Sequence, residues 1–105
     1  MKRPADRLAE IAAVVRALGE GEVVSYGDVA ATAGYPRQAR LVGHVLASTD
    51  EKLPWWRVVA ADGRLVPGNE RQHARLLRAE GVEITRGRVR RSPAGRFARA
   101  ERPSP

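Results

Sequence analysis

Apolar residues recur along the start of the chain at the spacing of one helix face. Leu8, Ile11, Ala12, Val15 and Leu18 fall three or four positions apart, which predicts a supporting core helix over residues 5–18, stopped by Gly19 and Gly21. Val23-Val24-Ser25-Tyr26 breaks that period and reads as a short extended link whose serine caps the next helix. Residues 27–33 form a short alanine-rich helix ending at Gly34. Pro36 suits the first turn of a third helix, which runs through Arg40, Val42 and Val45 to Ser48. Two short helices joined by a tight Gly-containing turn make a helix-turn-helix. Residues 53–59 then read as extended and apolar, and residues 61–64 as a turn. Residues 70–80 are a last helix with Leu76 and Leu77 facing inward, closed by Gly81, and residues 82–84 a short strand returning to Val58-Val59. The expected class is mainly α (α+β): a winged helix with a helix-turn-helix and a short β-wing.

Composition narrows this. A chain of 105 residues, 43% of them apolar, supports one globular domain. No apolar run approaches the roughly 20 residues of a membrane span, and Met1-Lys2-Arg3-Pro4 leads straight into a charged amphipathic stretch, so no signal peptide and a cytoplasmic location, nucleoid-associated if the source is bacterial, are expected. With no cysteine there is no disulfide, no thiolate metal site and no thiol nucleophile. Asp28, His44, His73 and Glu80 have neither the spacing of a metal site nor that of a triad, and no metal or other cofactor is expected.

The net charge of +7 suggests an acidic partner, nucleic acid first. It is unevenly spread. Residues 86–105 carry seven arginines against Glu101 alone, while residues 1–85 hold 12 basic and 11 acidic side chains. The expected division is therefore a winged-helix domain over 1–85 and a basic, flexible tail over 86–105. That tail reads either as a solvated extension or as a sequence-independent phosphate contact. In the third helix, Ala39 and Gly43 share a face, four positions apart. Such a small-residue stripe serves either close packing on another helix or entry into a narrow minor groove.

Four blocks, in order, resemble the DNA-binding domain of the O6-alkylguanine-DNA alkyltransferases: residues 21–30 (GEVVSYGDVA), 34–43 (GYPRQARLVG), 54–59 (PWWRVV) and 76–82 (LLRAEGV). The alkyltransferases read Pro-Cys-His-Arg-Val where this chain reads Pro54-Trp55-Trp56-Arg57-Val58. Indole supplies no soft nucleophile near neutral pH, so alkyl transfer to Trp55 is excluded on chemical grounds. The chain thus resembles the alkyltransferase-like proteins, which bind alkylated guanine without repairing it and pass it to nucleotide excision repair.

That resemblance implies roles. Tyr26 would press on a backbone phosphate and rotate the target nucleotide, where alone it reads as a tyrosine at a helix entry. Arg40 would enter the base stack, where alone it reads as a phosphate contact. Ala39 and Gly43 would let the helix sit in the minor groove. Trp55, Trp56 and Arg57 would form the lesion pocket, with Arg57 bracing it; a plain core tryptophan is the alternative for Trp55. Trp56 departs from the family histidine, and Glu80, the family's proton-relay glutamate, is left a structural role. Arg64, Arg71, Ser25 and Arg37 are candidates for further pocket or phosphate contacts. The resulting expectation is a monomeric, non-enzymatic protein that flips O6-alkylguanine out of double-stranded DNA and hands it to nucleotide excision repair proteins. Its rival is a general winged-helix DNA-binding or regulatory protein without lesion specificity.

Overall fold

The computed structural model describes residues 4–98. Helix α1 (Pro4–Arg16) leads to strand β1 (Glu22–Ser25), helix α2 (Tyr26–Thr32) and helix α3 (Ala39–Ser48). A single 3-10 turn (Trp55–Arg57) precedes strand β2 (Val58–Val59) and helix α4 (Glu70–Arg78). Strands β3 (Glu83–Thr85), β4 (Arg88–Arg91) and β5 (Ala94–Gly95) close the chain.

The winged-helix arrangement holds, with α2–α3 as the helix-turn-helix and the β3–β4 hairpin as the wing. The α2–α3 turn is set by Gly34. Its φ of +93° lets Gly34 N–H reach the Ala31 carbonyl and Tyr35 N–H reach the Ala30 carbonyl, the paired bonds of a Schellman stop. Helix α3 begins at Ala39, later than Pro36 suggests, because Arg37 takes a left-handed φ of 71° that a helix cannot contain. At the other end of α2, Ser25 Oγ accepts from Asp28 N–H and the Asp28 carboxylate accepts from Ser25 N–H, a reciprocal capping box.

The core is divided. Parallel pairing puts Val24 opposite Val58 and Ser25 opposite Val59. Successive strand residues face opposite ways. Val24 and Val58 therefore pack with Ile11, Val15, Val29 and Val42 of the helical half, while Val23 and Val59 pack with Leu65, Leu77, Val82 and Val89 on the other side. The β1–β2 ladder is the partition between two hydrophobic clusters.

Two expectations fail here. Residues 82–84 do not return to Val58-Val59; β3 pairs with β4, Ile84 opposite Val89, and β2 pairs with β1. The domain does not end at residue 85 either. Val89 and Ser92 are buried, Phe97 packs on the second cluster, and β5 adds a third parallel strand beside β1, Glu22 opposite Ala94 and Val23 opposite Gly95. Burial of these side chains and pairing of the β1 edge outweigh the tail-like composition. Arg96 fastens the added strand, donating to the Ala61 carbonyl and to Asp28. The rest of the expected tail, residues 99–105, lies outside the described residues.

Candidate nucleic-acid interface

Tyr26 is the first residue of α2 and Gly43 the middle of α3, so the helix-turn-helix brings them to one side. There they line a cavity of about 270 Å³ together with Leu46, Ala47, Trp55, Val66 and Asn69. This lies at the small end of ligand pockets, which run from about 300 Å³ upward. A Cβ built on Gly43 meets no atom within 4 Å. Close packing within the protein therefore does not require the glycine; the space in front of it is the cavity mouth. Burial raises the pKa of the Tyr26 phenol, keeping it a neutral donor. Arg40, one residue after the start of α3, is exposed and has no acidic partner among the described residues.

The local backbone decides the fate of the tryptophan pair. Trp55, Trp56 and Arg57 form a 3-10 turn, not the extended strand that the apolar run suggests. Three residues per turn splay successive side chains by about 120°. Trp55 faces the cavity, its ring edge-on to Trp56 at 6.1 Å. Trp56 packs on the second cluster instead, and its indole N–H donates to Glu80 Oε2 at 2.7 Å. The assignment of Trp56 to the pocket lining is thereby corrected. Arg57 sends Nε to Glu80 Oε1 at 3.0 Å, Nη2 to Oε2 at 2.9 Å and Nη1 to the Leu18 carbonyl at 2.8 Å. Gly21 N–H adds a further bond to Glu80 Oε1 at 2.7 Å. Burial alone would raise the Glu80 carboxyl, but these donors hold it below its usual range. The cluster anchors the turn that presents Trp55.

His73 completes the support. It is fully buried in α4, with its ring 5.0 Å from that of Trp55. Nδ1 accepts from Val66 N–H at 3.1 Å, and Nε2 lies 2.8 Å from the Trp56 carbonyl, so Nε2 carries the proton. Burial lowers its pKa, against the bond to Trp56, and favours the neutral ring. His73 thus joins the Trp55 turn to the loop that supplies Val66 and Asn69.

The remaining candidates scatter. Ser25 is buried and committed to its cap, and is not a DNA contact. Arg37 is exposed in the α2–α3 turn, and Ala39 is half-buried at the start of α3. Arg71 lines a separate cleft of about 550 Å³ with Glu70 and Arg75. Arg64 is exposed and paired with Asp62 at 3.2 Å. Sequence reasoning missed Leu46, Ala47, Val66 and Asn69. Asn69 had one legible signal, its place after Pro67-Gly68 at the entry to the last helix. Among the described residues no group of His, Asp and Glu could hold a metal ion, and no helix is long and apolar enough to cross a membrane.

Residues 7–82 match the DNA-binding domain of the 6-O-methylguanine DNA methyltransferases, and the chain belongs to that family. It is 41% identical to a DNA base-flipping protein of Vibrio parahaemolyticus over 82 residues, 74% of this chain and 82% of that protein. A DNA base-flipping protein of Escherichia coli is 48% identical over 77 residues, 69% of this chain and 59% of its own length. Among solved structures, Atl1 of Schizosaccharomyces pombe, in complex with damaged DNA containing O6-carboxymethylguanine, superposes with a TM-score of 0.73 at 28% identity, covering 80% of this chain and 83% of that one. The O6-methylguanine methyltransferase of Mycobacterium tuberculosis in complex with DNA gives 0.64 at 30% identity, covering 74% and 51%.

Proposed function

We propose that this chain is a non-catalytic lesion sensor that flips O6-alkylguanine from duplex DNA, holds it in the Trp55 cavity and marks it for nucleotide excision repair. The observation that carries the reading is the cavity itself, walled by Trp55 between Tyr26 and Gly43 in a chain that has no cysteine. The family fold supplies the place to put an extruded base, and the thiol that would accept its alkyl group is missing. The likeness to Atl1 on O6-carboxymethylguanine DNA and to the base-flipping proteins supports the same reading.

Each residue then has a physical task. Tyr26, as a neutral phenol, presses on and donates to the phosphate beside the target without charge repulsion of its own. Arg40, with no acidic partner among the described residues, moves into the vacated stack, where its planar guanidinium stacks and donates to the orphaned cytosine. Gly43 and Ala39 let the backbone of α3 approach the groove floor. Trp55 stacks on or beside the flipped purine, worth about 1–3 kcal/mol. The alkyl group weakens pairing with cytosine, which lowers the cost of extrusion for the lesion.

The test is a titration of two matched duplexes, with and without one O6-methylguanine, followed by tryptophan fluorescence. Tighter binding of the lesion duplex with a change in emission is expected, and Trp55→Ala should abolish the preference. Equal affinities would identify a general winged-helix DNA-binding protein instead.

A further inference from the structure

Gly63 is buried with a φ of +89°, and a Cβ there would stand 2.6 Å from the Val89 carbonyl oxygen. That clearance lets residues 63–65 run against β4 and form an isolated bridge to it. Val89 N–H donates to the Gly63 carbonyl and Leu65 N–H to the Gly87 carbonyl, which leaves Arg64 and Arg88 facing each other across an antiparallel bridge. The bonds lie on either side of the pair, so this is the position where opposed residues come closest, with Cα atoms about 4.5 Å apart. Like charges directly opposite each other destabilise a ladder.

The face they occupy is fixed by their neighbours. Leu65 and Val89 point into the second cluster. Across the bridge Arg64 and Arg88 point the other way. Arg64 has an exposed pairing with Asp62, and Arg88 has no acidic partner among the described residues. Two arginines thus stand opposite each other across the bridge, two residues before the cavity residue Val66 in the case of Arg64.

We propose that Arg64 and Arg88 form a phosphate clamp that closes on a backbone phosphate of the DNA strand feeding the cavity. A backbone phosphate offers each guanidinium one of its two non-bridging oxygens and screens their repulsion, whereas a base edge or ring would satisfy one arginine and leave the other opposed. The clamp rests on the DNA-binding reading above and adds a sequence-independent hold beside the lesion pocket.

The experiment measures anisotropy of the full chain on O6-methylguanine and unmodified duplexes over a range of salt, for wild type, Arg64→Ala, Arg88→Ala, the double variant and Trp55→Ala. Each arginine variant should weaken binding to both duplexes alike, by about 3- to 10-fold near 0.1 M salt, and the double variant should lower the slope of log K against log salt by about 0.9. The lesion preference should stay unchanged, and the thermal midpoint should hold or rise as the like-charge pair is relieved. A single methylphosphonate next to the lesion should erase the effect of Arg88→Ala. An unchanged salt slope, or a loss confined to the lesion duplex, overturns the clamp. Loss of lesion preference in Trp55→Ala alone, with its slope intact, bears on the sensor reading and not on the clamp.

Discussion

The two sides of the β1–β2 ladder are built on different principles. The helical side is a plain hydrophobic cluster in which Ile11, Val15, Val29 and Val42 meet at helical spacing. The other side holds fewer aliphatic residues and is knit by polar groups: Glu80 with its Arg57, Trp56 and Gly21 donors, and His73 between Val66 and Trp56. The cavity straddles both, taking Tyr26, Gly43 and Leu46 from the first and Trp55, Val66 and Asn69 from the second. In the function proposed above, the helical side would bring the parts that meet DNA, and the polar side would fix the wall that meets a base. Aliphatic packing tolerates rotation and substitution; a bonded carboxylate or imidazole sets one geometry.

The largest break of this comparison is truncation after Thr85. It removes Val89, Phe97 and the β5 edge from the second cluster and should cost more than about 5 kcal/mol, comparable to the whole stability of a small domain. Urea unfolding followed by fluorescence should lose its cooperative transition, whereas truncation after Ala98 should keep it. Next comes Glu80→Ala, which strands the Arg57 guanidinium and two N–H groups in a site where the ion pair is 16% and 9% exposed. A loss of about 3–5 kcal/mol is expected by urea denaturation.

A smaller effect separates the halves by pH. His73 is neutral in the fold with a lowered pKa, so the unfolded chain binds its proton first. Stability should fall as pH drops below about 6.5, the ordinary histidine value, and level off below the folded value. Glu80 has a lowered pKa, so its contribution persists above the ordinary carboxylate value and is lost only as pH falls through its folded value. Thermal midpoints from pH 8 to 3 should show both losses, and His73→Gln should remove the first. The smallest change is Gly43→Ala on the helical side. With open space before its Cβ, it should leave stability unchanged or raise it by up to about 1 kcal/mol while weakening lesion binding, measured by paired thermal melts and titrations.

Legibility in the sequence divides along the same line. The helical side was readable because its signals are local: apolar spacing in α1, the Ser25 cap three residues before Asp28, and Gly34 after α2. Tyr26, Gly43 and Trp55, three residues singled out through the family resemblance, line one cavity. The other side depends on contacts distant in sequence. Val89 is a lone apolar residue among arginines, so strand β4 read as a basic tail. The 3-10 turn leaves no periodic trace in three residues, so Trp56 was placed in the cavity although its indole N–H belongs to a carboxylate 24 positions away. Val66 and Asn69 reach the cavity through a loop whose position is set by His73 and α4.

Tyr26 comes directly after β1, the middle strand of three, and Asp28, which caps that junction, is gripped from outside by Arg96 of the β5 edge. A side chain that shoves a phosphate feels an equal push in return. In the role proposed for Tyr26, that recoil would pass into a strand paired on both edges and braced at its tip. The work of the encounter would then be spent on twisting the nucleic acid, with the protein as the stiffer member of the pair.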